Sequence, residues 1–540
     1  MLFKNSSNYF GQFFFFISSQ IRKIYLNSDI YNKKISKISN KNLDYKPSPS
    51  LLDCLIKYNN NKNKIEDLNI NSFWTNKNLT KKEYKRLHSF YWLFSLDLKS
   101  SKKITQSVIM DWIDANENYN QKNWEIDTLS KRVIAWISSS KLTYEDSNNT
   151  YKDKFNSIIQ KQINHLINEI GKSNLIDDKM ISCAAIILTG LSYNEKDKYL
   201  NFGFNLLRKI INFSFDNQGF PKSRNIRQLN FYLKYFILIR EWLKESQNNI
   251  PKYLDEIIFY LGKSYSLLFQ GVKKNILFNG NHEFNNQDFD KYLDNHGYKF
   301  KNDSAEIGGY AFLRNKKTSL IMDIGPSPEK KFSKDYQCGA LSFEIISNNK
   351  KLICNSGYFQ KTKHKLKNIS RSSANHSTLI INNHSSCSIN SVTDEVQSGI
   401  KILNKNLLIE KDYWNILASH DGYLKKYGII HERQIEFFHK KNKFVGQDRL
   451  INKKNKLHNF EIRFHLEPNL KIMKTQDNKS ILIDIENEGW KFTCEDYIIN
   501  IETGLYFGKK NSFTENQNLF ISGKTQNEKE FIKWEIEKIT

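Results

Sequence analysis

The stretch RSSANHSTLII, residues 371–381, sets an arginine, an amide and an imidazole directly ahead of an apolar run. Arg371 and Asn375 are groups that hold an anion, and His376 is one that moves a proton near neutral pH. The run Leu379, Ile380, Ile381 needs none of them to form a strand. The residues alone leave two readings. Either a polar loop feeds a strand whose end His376 caps by hydrogen bonding, or the loop is the rim of a site. IIHERQI repeats the ambiguity, because His431 and Arg433 are two apart and share one face of a strand. That face is a cleft wall or a solvated surface. His420-Asp421-Gly422-Tyr423 reads as a turn without metal-motif spacing. The six cysteines (54, 183, 338, 354, 387 and 494) form no CxxC pair, which excludes a zinc ribbon or a thioredoxin-like motif. They are expected as free thiols or packing residues.

The elements that must carry these residues fall into two halves. From about 46 to 285 apolar residues recur at helical spacing, as in Phe202, Leu206, Ile210, Phe213 and in Leu229, Leu233, Phe236, Ile237. KRVIAWISSS, MISCAAIILTGLS and YLDEIIFYLGKSYSLLF continue the pattern, and short polar links such as SYNEKDK predict antiparallel helical hairpins side by side. After about residue 300 the period becomes two. In HNFEIRFHLEP, Phe460, Ile462, Phe464 and Leu466 alternate with polar residues; GALSFEII and SILIDIE do the same, predicting stacked antiparallel sheets. The division read from the sequence is a 1–45 N-terminal segment, a 46–285 helical domain, a 286–300 linker within NGNHEFNNQDFDKYLDNHG, and a 301–540 β-sandwich.

The 540 residues are too many for one ordinary core, and 39% hydrophobic with 14% aromatic content excludes wholesale disorder. A net charge of +25 points to a polyanionic partner (nucleic acid, an anionic membrane face or an acidic polysaccharide), or else to solvated lysine in a chain rich in Asn, Lys and Ile. No RNP-like, helix-turn-helix or zinc-finger pattern supports nucleic acid. The apolar run Phe13–Ile17 is shorter than a signal-peptide core of about 7–15 residues. It falls far short of the ~18–20 that span a bilayer, so no transmembrane segment is expected. It reads as a weak export signal, or as the start of an amphipathic surface helix through Ile21, Ile24 and Tyr25.

An ordered series in the second half resembles the C-terminal domain of heparinase II/III-like proteins: GGYAFLR (308–314), LIMDIGP (320–326), CGALSFEI (338–345), LICNSGYF (352–359), RSSANHSTLII (371–381), SHDGYLKKYGIIHERQI (419–435), GQDRL (446–450) and FEIRFHLEP (460–468). HSFYWLFSLDL (88–98), DWI (111–113), KRVIAWI (131–137) and NQGFPKSRNIRQL (217–229) resemble the helical domain of bacterial members. The resemblance implies an incomplete (α/α) toroid followed by an antiparallel β-sandwich. It also implies cleavage of a uronate-containing glycan by β-elimination, in the cell envelope or periplasm, although the residues show no clear signal peptide and leave the cytoplasm open. The C5 hydrogen of a uronate is weakly acidic, so its carboxylate must be neutralised and a Tyr or His must take the proton. The candidate catalytic residues are His376, Tyr358 and Tyr232; Ile226 and Arg227 stand near where relatives carry a catalytic tyrosine, and Tyr232, on a helix, is otherwise a packing residue. The candidate substrate contacts are Arg224, Asn225, Arg371, Asn375 and His431, with Ser223 or Asn225 otherwise an N-cap of the following helix. Convergence of Arg224, Tyr358, Arg371 and His376 on one cleft is the expected arrangement.

The sequence departs from the family where relatives bind metal. Gln337 and Asn355 replace a histidine and an aspartate, and amide oxygens are weak zinc ligands, so no tightly bound zinc is expected. Asp335 stands where relatives place a catalytic histidine. These departures support an alternative function, a non-catalytic glycan-binding or envelope-assembly protein that keeps the fold. The partner expected in either case is an acidic polysaccharide, not nucleic acid; the sequence leaves oligomeric state open.

Overall fold

The computed structural model describes residues 17–39, 41–48, 50–55, 64–67, 74, 78–173, 175–272, 274–361 and 364–539. The run Phe13–Phe16 lies outside them. The chain forms two compact units that interleave in sequence. One comprises Met1–Phe213, Lys234–Glu256 and Gln287–Gly297; the other comprises Ser214–Leu233, Ile257–Asn286 and Tyr298–Thr540. The sequence reading places a single connection at 286–300, but part of that stretch is itself helical, Gln287–Asn295.

The first unit is helical, as the 3.6-residue period requires. Its main helices include Lys81–His88, Lys102–Asn116, Ile126–Ser138, Asn149–Glu169, Ile176–Ser192 and Asn201–Ser214. Thr80 and Glu83 form a reciprocal capping box that starts the first of these. Ile176–Ser192 is buried from Met180 to its end, which explains the apolar sequence there. The Asn201–Ser214 helix corrects one expected stripe. Gly203, Leu207 and Ile210 face inward, whereas Phe213 is 47% exposed. Gly203 sets that face: a Cβ there would lie 2.5 Å from Ile187 Cγ1, so only glycine allows this approach.

The second unit is a sandwich of two antiparallel sheets. One runs Glu306–Ile307, Tyr310–Arg314, Thr318–Asp323, Phe343–Ser347, Lys350–Cys354, Asn459–Leu466, Thr514–Lys524, Ile499–Tyr506, with Leu379–Ile381 also pairing on Asn459–Leu466. The other runs Lys471–Lys474, Ser480–Ile485, Glu488–Thr493, Lys529–Lys538, Lys443–Asn452, Ile429–Phe438, Trp414–His420, Ile402–Ile409. Alternating residues of both, including Phe343, Phe464, Phe492 and Trp534, meet in one core. The strand expected in GALSFEII starts late, at Phe343, because Leu341 adopts φ +55° and closes a turn instead. That turn aims the Leu341 carbonyl at Arg433 Nη1, 2.9 Å away.

Candidate active site

The loop before the Ile226–Glu245 helix carries Ser223-Arg224-Asn225, and its conformation is unusual. Arg224 sits at φ +56°, a left-handed geometry that a non-glycine residue holds only when its surroundings impose it. The surroundings here are explicit. Its guanidinium donates to the carbonyls of Gly308 (3.1 Å), Gly309 (3.0 Å) and Pro326 (3.0 Å), and to Asp323 Oδ1 at 2.6 Å. Its own carbonyl accepts from Tyr310 Oη at 2.8 Å. Arg224 is buried, and every guanidinium nitrogen is committed to the protein. The expected contact of Arg224 with substrate does not fit this placement. Arg224 instead fixes the loop that presents Asn225.

Asn225 Nδ2 reaches Asp335 Oδ2 at 3.2 Å, and Tyr358 Oη donates to Asp335 Oδ1 at 2.8 Å. Arg227 Nη2 lies 3.8 Å from the same carboxylate. Three side chains from segments up to 133 positions apart thus gather on Asp335. Burial and the adjacent Asp335 charge push the Tyr358 phenol well above its ordinary pKa, so it is protonated at neutral pH. Asp335 is the reachable member. Its side chain is 33% exposed, against 1% for Tyr358 and Asn225.

The 279–282 loop completes the cluster. Gly280 has φ +80°, and a Cβ there would lie 2.4 Å from Asn225 Nδ2 and 3.1 Å from Asp335 Cβ. Only glycine admits this conformation and this contact together. Two residues on, His282 Nδ1 accepts from Gln360 Nε2 at 3.1 Å. Burial, with Lys510 and Arg227 nearby, lowers the His282 pKa to about 4, which leaves a neutral imidazole. The sequence reading passes over His282 and treats Asp335 as a loss. The NGNHEF composition, polar and glycine-bearing between two apolar segments, is the available signal for the former.

The remaining expected site residues make their hydrogen bonds away from the Asp335 carboxylate. Arg371 is fully buried and donates to the carbonyls of Tyr336 (2.7 Å), Ser333 (3.0 Å) and Asp394 (2.9 Å). It braces the 333–336 loop that carries Asp335, and its charge acts on Tyr358 and Asp335. Asn375 Nδ2 bonds the Ile369 carbonyl at 2.7 Å and closes its own turn. His376 is 1% exposed with no partner on either ring nitrogen, and burial lowers its pKa to about 3. Its ring lies against Gly339, where a Cβ would come within 2.9 Å. Tyr232 is buried with its ring edge-on to Phe215 at 4.9 Å, a packing role. His431 is buried between His420 Nε2 (3.2 Å) and Asp448 Oδ1 (2.7 Å), and Arg433 and Trp534 also bond Asp448. That is an internal polar network, not a cleft wall. Arg224, Arg371 and His376 therefore do not open on one cleft with Tyr358.

Gln337 and Asn355, the positions where the resemblance implies metal ligands, are engaged by the protein. Gln337 Oε1 accepts from Gly280 N (3.0 Å), and its Nε2 donates to the carbonyls of Gly357 (2.9 Å) and Ser370 (2.7 Å). Asn355 Oδ1 accepts from Ser377 N at 3.1 Å. Among the described residues no group of three His, Cys, Asp or Glu could hold a metal ion. His376 with two engaged amides does not fit zinc. Gln337 instead staples together the Gly280 and Gly357 loops and the end of the Lys365–Arg371 helix. The cysteine expectation also changes, since Cys338, next to Gln337, is disulfide-bonded to Cys387.

Residues 301–535 match the family model for heparinase II/III-like, C-terminal. Two heparinase III structures align with the chain at TM-scores of 0.68 and 0.66 and 16% and 15% identity, covering 91% and 95% of this chain and 83% and 85% of theirs. Heparan sulfate lyase HepC from Pedobacter heparinus aligns at TM-score 0.61 and 12% identity, over 85% of this chain and 75% of that one. No curated protein sequence matches the chain. Residues 301–535 are therefore a heparinase II/III-like C-terminal domain, in a chain with the toroid-then-sandwich fold of the heparinases.

Proposed function

We propose that the chain is a polysaccharide lyase that cleaves a uronate-containing glycan by β-elimination, with Asp335 as the proton-transfer group. The observation that carries this reading is the gathering of Asn225, Arg227 and Tyr358 on one partly exposed carboxylate. Asp335 takes the C5 proton, the C5–H electron pair becomes the C4–C5 double bond, and the C4–O bond breaks. The same carboxyl then returns its proton to the departing oxygen. Arg227 supplies positive charge beside the substrate carboxylate, which lowers the cost of the developing negative charge. Tyr358 and Asn225 are positioning residues, since each holds one oxygen of Asp335. No step uses a metal, and zinc is not part of the proposal. The Cys338–Cys387 disulfide supports action outside the reducing cytoplasm, in the cell envelope.

Product formation on uronate polymers, followed by ultraviolet absorbance of the unsaturated end, tests the roles. Asp335→Asn removes the general base and lowers kcat by about 10²–10⁴-fold. Tyr358→Phe removes one hydrogen bond to a charged group, about 1.5–3 kcal/mol, or roughly 10–150-fold. An Asp335→Asn enzyme as fast as the parent contradicts the assignment. The loss of the family's metal ligands at Gln337 and Asn355 favours the second reading, a glycan-binding protein without turnover. Binding of every polymer with cleavage of none selects it.

A further inference from the structure

The helical unit holds a second place where binding chemistry collects. A cavity of about 870 Å³ opens among helix 17–26, the helix Lys81–His88, the turn at 119–125 and the end of Asn149–Glu169. That is within the ~300–1,000 Å³ range of small-ligand sites. Its wall is aromatic: the half-buried Tyr119 ring lies 5.1 Å from His165 and 6.1 Å from Trp124. Tyr84, also half-buried, stacks on His88 at 4.1 Å.

The charge balance of the lining is one-sided. Glu169 is bonded by Arg22, and Glu125 lies 2.6 Å from Lys85 Nζ. With both carboxylates matched, Lys23, Lys81 and Lys122 leave the cavity at +3. All three are exposed, and Lys122 Nζ stands 4.3 Å above the Tyr84 ring, so cation and aromatic face share one spot. His165 adds no charge at neutral pH, because burial lowers its pKa to about 4.

We propose that this groove binds an acidic oligosaccharide, with a sugar ring stacked on Tyr119 and carboxylate or sulfate groups held by Lys23, Lys81 and Lys122. Flat rings suit the C–H face of a pyranose, and flexible lysines suit anions whose spacing varies along a chain. The inference rests on the glycan partner proposed above but not on the cleavage chemistry.

The test is calorimetric titration of the full chain, in the Asp335→Asn background so that turnover plays no part. The probes are octasaccharides of alginate and of heparan sulfate. Lys81→Glu with Lys122→Glu weakens binding of the better probe at least about tenfold, and Tyr119→Ala weakens it about tenfold with the salt dependence unchanged. Lys81 and Lys122 are exposed and Tyr119 is half-buried, and an unaltered melting temperature confirms the fold. Variants that bind as the parent does, a parent that binds neither probe, or single-stranded DNA that binds more tightly than both probes overturns the inference. Cleavage by the wild type with binding unmoved in the variants overturns the groove and leaves the lyase reading standing. Binding lost in the variants with no cleavage by the wild type does the reverse.

Discussion

Arg224→Ala separates a structural arginine from a substrate-binding one. The substitution removes the 2.6 Å contact to Asp323 and the bonds to three backbone carbonyls. Asp323, 1% exposed, keeps only Asn279 Nδ2 at 3.1 Å and Gly325 N at 3.1 Å. Removing one partner of a buried pair costs about 3–5 kcal/mol, mostly because the other charge stays behind. A groove of about 520 Å³ borders Arg224 and lets water reach the freed carbonyls, which holds the cost within that range. For a unit of about 290 residues, at ~2.1 cal/mol/K per residue, this becomes a fall in Tm of roughly 5–8 °C. Differential scanning calorimetry of the full chain reads it from the transition of the sandwich unit. Arg224→Lys keeps the charge but loses the fork, and falls between parent and alanine variant. A substrate-binding arginine behaves differently: its loss leaves Tm within about 1 °C and raises KM. That outcome refutes the structural assignment, and with it the account of why Asn225 faces Asp335.

Three further outcomes follow from buried groups. The pKa values of His376 and His465 are pushed down to about 3 by burial, below the unfolded value near 6.5, so the unfolded chain binds their protons first. The stability they contribute is fully present above pH about 6.5 and is lost as the pH falls towards 3, at up to about 1.4 kcal/mol per pH unit for each. Urea titrations across that window, with His376→Asn lowering the slope by one proton, check it; a flat profile counts against it. Gln337→Leu strands the Gly280 N–H and the Gly357 and Ser370 carbonyls, at about 1–3 kcal/mol each where water does not enter, and its unfolding midpoint in urea drops accordingly. Dialysis against a chelator leaves Tm and glycan turnover unchanged, whereas a loss restored by zinc contradicts the reading of Gln337 and Asn355.

The sandwich was legible because its alternation is strict. In Ile429–Phe438 and Lys443–Asn452 every second residue is buried, and side-chain period alone assigns the faces. Helices were legible as elements but not always as faces: at Asn201–Ser214 one glycine contact outweighed the apolar stripe. The site was legible mainly as a neighbourhood. Arg224, Arg371 and His431 have the composition of ligand-binding residues. Their partners, however, are backbone carbonyls and carboxylates 17 to 102 positions away, and local sequence does not encode these. A buried arginine that saturates carbonyls and an exposed one that grips a sugar look alike until the fold is known. Asp335 failed for the opposite reason. It reads as a departure from a histidine pattern, and only the approach of Asn225, Arg227 and Tyr358 gives it a role. The Cys338–Cys387 pair, 49 residues apart, carries no spacing signal at all.

The most direct test is to incubate the purified wild-type chain with alginate, heparan sulfate, hyaluronan and native envelope glycans and to identify the new chain ends by NMR. Elimination at Asp335 predicts ends with a C4–C5 double bond from at least one polymer. Saturated ends, or intact polymers throughout, contradict it.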